Sequence, residues 1–138
     1  MEAGESITAN AQILVVDDDT LIRDSLSDLL RAAGFQVATA QHGGDALAYL
    51  RENPLPRVII LDLMMPVMDG WEFRLRQRED PRLAQIPVIV LSAALRDRRT
   101  LELGAEEYFP KPLHLRGLLE AVSRYSRPQQ SIPPHMLA

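Results

Sequence analysis

The stretch ILVVDDDTL, residues 13–21, sets four apolar residues against three consecutive aspartates. Its first half is continuous and rich in β-branched residues, the pattern of a strand buried on both faces. Its second half puts three carboxylates where that strand must end, a costly arrangement unless something answers the charge. Two further runs, VIIL (58–61) and VIVL (88–91), have the same all-apolar character. FQVAT (35–39) alternates and reads as an edge strand, and EYF (107–109) supplies a fifth.

Helical periodicity fills the intervals. Leu21, Ile22, Leu26, Leu29, Leu30 and Ala33 form one face, stopped at Gly34. Ala46, Leu47 and Leu50 mark a second helix, ended near Asn53–Pro54. Trp71, Phe73 and Leu75 fall in a third, opened by Asp69–Gly70. A short fourth contains Leu95, Leu101 and Leu103 and stops at Gly104. The fifth carries Leu115, Leu118, Leu119 and Val122 at i, i+3, i+4, i+7. Strict β–α alternation predicts an α/β fold, a doubly wound parallel sheet with right-handed crossovers. The ligand site of such a sheet lies beyond the carboxyl ends of its strands, where the winding reverses.

Bulk properties narrow the function. The chain has 138 residues and a net charge of −4, which suits one domain and gives no nucleic-acid-binding surface. There is no cysteine, so disulfides, thiolate metal sites and cysteine catalysis are excluded. No apolar run approaches a membrane span of roughly 18 residues, and the first residues lack the pattern of a secretory signal. A cytoplasmic protein with no membrane contact is expected. Residues 1–11 read as a flexible leader, 12–125 as the domain, and 126–138 as a proline-rich tail or linker stub.

The polar residues at the strand ends carry the chemistry. Asp17 follows ILVV, Asp62 follows VIIL, Ser92 follows VIVL, and Lys111 lies two residues after EYF. A parallel sheet brings these ends to one edge. Two carboxylates about 4 Å apart repel by about 4 kcal/mol at an effective dielectric near 20, so the acids need a cation or a proton. Oxygen ligands without sulfur or imidazole favour Mg²⁺ or Mn²⁺. A lysine and a hydroxyl add what phosphoryl transfer requires: charge neutralisation, positioning and a carboxylate acceptor.

Together, ILVVDDD, LDLMMPVMDG, VIVLSA and GAEEYFPKPL closely resemble, in order and rough spacing, the receiver domain of bacterial two-component response regulators, the chemotaxis-regulator type. The resemblance covers about residues 12–125. It implies a flavodoxin-like (βα)₅ fold with strand order 2-1-3-4-5. It makes Asp62 the residue phosphorylated by a sensor histidine kinase or histidine phosphotransfer protein. Asp17 and Asp18 match the acidic pair that organises Mg²⁺, with Asp18 binding directly and Asp17 largely through water. The backbone carbonyl of Met64 matches a further metal ligand. Ser92 matches the hydroxyl that bonds the new phosphoryl group, Lys111 its lysine partner, and Tyr108 the aromatic switch. A cis Lys111–Pro112 bond is implied too. Such a domain catalyses only its own phosphorylation and dephosphorylation, and is not otherwise an enzyme. Met64 and Ala94 occupy the positions that influence water access to the phosphoryl group, and neither side chain orients water, so slow self-dephosphorylation is expected. Output is expected through a downstream partner protein rather than DNA. Whether the chain is stand-alone, a phosphorelay intermediate or part of a longer protein stays open.

Other readings compete. Asp19 is expected to cap the first helix, and Asp69–Gly70 to start the third. Met64, Met65 and Met68 are expected to pack rather than bind a soft metal. His42, His114 and His135 share no spacing with the acids and read as surface or tail residues. Arg96, Arg98 and Arg99 form a solvated face or a partner-binding edge. ILVVDDDTL also loosely fits a haloacid-dehalogenase-type phosphatase, with Asp17 as nucleophile and Asp19 as acid/base. That family needs a late acidic pair beyond a strand end, and Glu106–Glu107 precedes Tyr108. A degenerate, binding-only receiver is the third option. Ser92 to Lys111 spans 19 positions, about three fewer than the family's usual spacing. The deficit falls in the fourth helix and amounts to most of a turn of about 3.6 residues. It puts the output face formed in many relatives by that helix and its neighbours in doubt.

Overall fold

In this computed structural model, which describes residues 11–93, 95–111 and 115–126, five parallel strands form one sheet. The elements run β1 (Ile13–Val16), α1 (Thr20–Ala32), β2 (Val37–Ala40), α2 (Gly43–Glu52), β3 (Val58–Asp62), α3 (Gly70–Glu79), α4 (Pro81–Ala84), β4 (Val88–Ser92), α5 (Arg98–Leu101), β5 (Glu107–Pro110) and α6 (Leu115–Ser126). Strand order is β2-β1-β3-β4-β5, as the resemblance implies.

Every residue of β1, β3 and β4 is buried. Alternate side chains serve alternate faces. Leu14, Val16, Ile59, Leu61, Val88 and Val90 pack with Ala46, Leu50 and Phe73 on one side. Ile13, Val15, Ile60, Ile89 and Leu91 pack with Leu26, Leu30, Leu118 and Val122 on the other. Two covered faces explain why these strands lack hydrophobic alternation. Ala11 is also buried and Ser126 closes α6 fully buried, so the packed body reaches one residue past each end of 12–125. The leader before Ala11 and the tail after Ser126 lie outside the described residues, as do Ala94, Pro112, His114 and His135.

Several elements depart from the sequence reading. β2 spans 37–40 rather than 35–39. Gly34 adopts φ 101° after the helix, and the Phe35 N–H still donates to the Leu30 carbonyl, so this residue belongs to the turn. Leu21 is 75% exposed, although the periodicity puts it on the apolar face of its helix, and Leu75 of the third helix is 57% exposed. On α3 the buried positions next to Trp71 and Phe73 are instead Arg74 and Gln77. Met64 is exposed as well, while Met65 is buried and Met68 packs against the core, so packing accounts for only two of the three methionines. A single turn at Pro81–Ala84 has no counterpart in the sequence pattern; Asp80 caps it, with proline at its start.

The fourth crossover helix is reduced to one turn, Arg98–Leu101. Arg74 holds the segment after it. Its Nε donates to the Leu103 carbonyl at 3.0 Å and its Nη2 to that of Gly104 at 2.9 Å, while Nη1 donates to Gln77 Oε1 at 2.8 Å. Gln77 Nε2 in turn donates to the carbonyls of Leu83 and Ile86. The buried guanidinium satisfies carbonyls just past the end of α5, which have no partner within that helix.

Candidate phosphoacceptor site

The winding reverses between β1 and β3, and the acids stand there. Val16 pairs in register with Leu61, so Asp17 and Asp62 emerge at the same level. Asp62 pairs with Leu91 and Ser92 with Pro110, which places Ser92 and Lys111 on the adjoining strand ends. The Lys111 N–H donates to the Ser92 carbonyl at 3.3 Å.

Lys111 Nζ donates to Asp17 Oδ2 at 3.0 Å and lies 3.3 Å from Asp62 Oδ1. Asp17 and Asp62 are buried, whereas Asp18 is exposed. One oxygen from each of the three acids lies within 4.8 Å of the others. The second oxygen of Asp17 accepts the Asp19 N–H at 2.9 Å. Its backbone carbonyl accepts from Arg23 Nη1, also at 2.9 Å. Sequence reasoning passes over Arg23, which fixes the β1–α1 turn from one helical turn away. Asp19 caps α1 as expected, accepting the Ile22 N–H.

One ammonium faces three carboxylates. Burial raises the Asp62 carboxyl to about 6, the Asp17 charge adds to the rise, and Lys111 opposes it. For Lys111, burial works to lower the ammonium, but its bond to Asp17 and the charge of Asp62 outweigh that and leave it raised. The shortfall of positive charge and the all-oxygen donor set suit a hard divalent cation.

Gly70 completes the acidic corner. Its N–H donates to the Leu63 carbonyl at 2.8 Å, and a Cβ there would stand 2.5 Å from the Asp62 carbonyl oxygen. Glycine is required because the start of α3 presses against the strand end that carries Asp62. Between them, exposed Val67 adopts φ 69°, a conformation unfavourable for a β-branched residue. The Met68 carbonyl at the end of this loop accepts the Gly43 N–H at 2.9 Å. His42, read as a surface residue, caps α2 there by accepting the Asp45 N–H at 3.2 Å.

Tyr108 points outward, 36% exposed, and its hydroxyl accepts the Ala105 N–H at 3.0 Å. Ser92 is fully buried. The phosphatase alternative loses its parts. Both Asp17 oxygens are occupied, Asp19 caps a helix, Glu106 accepts the Val88 N–H at the opposite end of β4, and Glu107 pairs with Arg124.

The family model of the response regulator receiver domain matches residues 13–123. Over 118 residues the chain is 36% identical to the two-component response regulator ORR5 of Oryza sativa subsp. japonica, covering 83% of this chain and 88% of that one. It is 38% identical over 127 residues to the DNA-binding dual master transcriptional regulator RpaA of Synechocystis sp., but spans only 52% of that protein. The structure of response regulator TrrA from Thermotoga maritima, solved in complex with Mg²⁺-BeF, superposes with a TM-score of 0.71 at 30% identity, over 82% of this chain and 96% of that one. Among the described residues no helix is long and apolar enough to cross a membrane. Strand order, strand-end acids and sequence match agree: the chain belongs to the response regulator receiver domains of two-component systems.

Proposed function

We propose that Asp62 accepts a phosphoryl group from a phosphohistidine, on a sensor histidine kinase or a histidine phosphotransfer protein, and that the phosphorylated chain changes the surface it offers a downstream protein. The observation that carries this reading is the Lys111 ammonium, held between buried Asp17 and buried Asp62 with Asp18 beside them. An Asp62 oxygen forms the new bond to phosphorus, and the bond from phosphorus to the imidazole nitrogen breaks with its electron pair left on the imidazole. Lys111 pairs with the transferred group and Ser92 donates a hydrogen bond to it. Mg²⁺ or Mn²⁺ bound by Asp18, Asp17, Asp62 and the Met64 carbonyl would neutralise the acids and screen the phosphoryl oxygens. Both Asp17 oxygens are already hydrogen-bonded, which favours Asp18 as the direct ligand and leaves Asp17 to act through water.

Tyr108 is the candidate for relaying the change. Turning it inward breaks its bond to Ala105 and so alters the segment after α5. The exposed Met64 side chain cannot orient water, so the phosphoryl group is lost slowly. The whole protein's output, through a protein partner or through DNA, depends on what accompanies this domain in the cell.

Treatment with acetyl phosphate and Mg²⁺, followed by mapping of the modified residue, tests the proposal. Modification at Asp62, lost in Asp62→Asn and in Asp18→Ala, is the expected result. Labelling at another residue, or labelling that survives Asp18→Ala, overturns it.

A further inference from the structure

Shortening the fourth helix leaves a groove on the face of the molecule formed by α3 and α5. Trp71, Arg74, Leu75 and Arg78 form one wall, and Arg99 and Leu103 the other. The groove encloses about 160 Å³, well below the roughly 300–1,000 Å³ of a small-molecule site, so it suits a single side chain of a larger partner.

Its chemistry is that of an anchor point. Trp71 is the chain's only tryptophan, its indole N–H donates to Thr100 Oγ1 at 3.3 Å, and the Arg99 guanidinium stacks on its ring at 3.9 Å. Buried tryptophan and arginine in a pocket with an apolar floor are the residues that dominate protein–protein contacts. Leu75, on the same wall, is 57% exposed, a large aliphatic side chain in water. The lining carries three arginines against a single carboxylate, Glu102, in a chain whose net charge is −4. Arg74 spends its donors on Gln77 and on loop carbonyls, and Arg99 is paired with Asp97. Arg78 donates to the Glu102 and Leu103 carbonyls through Nη1, which leaves its Nη2 edge for a visitor.

We propose that this groove docks an acidic segment of a partner protein, one aliphatic side chain entering beside Trp71 and Leu75 and a flanking carboxylate meeting Arg78. Docking here does not use the Asp62 carboxylate and needs no phosphorylation. This goes beyond the phosphoacceptor reading and stands or falls separately from it.

A library of displayed peptides, selected on the full, unphosphorylated chain, tests it. The expected winners carry Leu or Ile flanked by Asp or Glu, and a synthetic winner shifts the emission of Trp71 on binding. Leu75→Ser and Arg78→Glu, both at exposed positions, should each weaken binding by about tenfold or more, and replacing the peptide's acids with lysine should restore binding to Arg78→Glu. The proposal is overturned by selection that yields no binder, by winners that are basic, or by winners whose affinity neither substitution changes.

Discussion

Lys111 Nζ and Asp62 Oδ1 stand 3.3 Å apart, yet the pairing does not hold the carboxyl down. Burial and the neighbouring Asp17 charge win, and Asp62 titrates near 6. In an unfolded chain an aspartate titrates near 3.9. Between about pH 4 and pH 6 the folded chain therefore holds a proton that the unfolded chain has lost. Stability falls as pH rises through that window and stays lower above it. Asp62→Asn is neutral throughout and escapes the loss. In the presence of a chelator it should be more stable than the parent by about 2 kcal/mol at pH 7.5 and nearly equal to it at pH 4. Urea unfolding at the two pH values measures this, and an equal gap at both would refute the assignment.

Gly70→Ala should cost about 1–3 kcal/mol, because the new methyl would meet the Asp62 carbonyl and the Leu63 backbone, which cannot swing aside. It should also slow phosphorylation by acetyl phosphate. Gly104→Ala is the control. Its φ of 66° is unfavourable, but nothing lies within 4 Å of the added methyl, so it should cost only about 1 kcal/mol and leave phosphorylation intact. Thermal denaturation alongside labelling rates separates the two.

Val67 suggests the opposite experiment. An exposed β-branched residue at φ 69° stores strain in the loop between Asp62 and α3. Val67→Asn should stabilise the fold by about 0.5–1 kcal/mol, since asparagine tolerates the left-handed region. A lowered melting temperature would mean that the valine makes a contact worth more than the strain.

Arg74→Met should strand the Gly104 carbonyl and Gln77 Oε1 and leave the Leu103 carbonyl only its longer bond from Arg78, at a cost of about 2–4 kcal/mol. The damage should be local first. Amide hydrogen exchange should accelerate across 99–105 while β1 and β3 keep their protection, and uniform acceleration would contradict the clamp.

The legible part of this protein is the part that burial and topology dictate. Strands β1, β3 and β4 can be read because both faces are covered. Asp17, Asp62, Ser92 and Lys111 can be found because a polar residue that closes an apolar run must be desolvated beside the core, a cost that chance placement rarely meets. Arg74 and Gln77 escape a sequence reading because hydropathy scores them as solvent-facing. Their burial depends on carbonyls about 30 residues away for Arg74 and six to nine away for Gln77, and no local pattern records that. With these polar residues filling the buried stripe of α3, Leu75 is left outside. Gly70 reads as a helix start, but its need to lack a side chain arises from contact with β3, which appears only when the chain folds.

The clamp at Arg74 also limits how this molecule can be re-engineered. The carbonyls that follow the one-turn fourth helix and the arginine beneath them form a matched pair, each satisfied by the other. A transplanted helix that ends elsewhere would move those carbonyls out of reach and leave a guanidinium sealed in the interior with Gln77 as its remaining partner. Swapping output surfaces between this domain and a relative with a longer helix therefore requires exchanging position 74 together with the segment 93–106, because either half transplanted alone carries a defect with it.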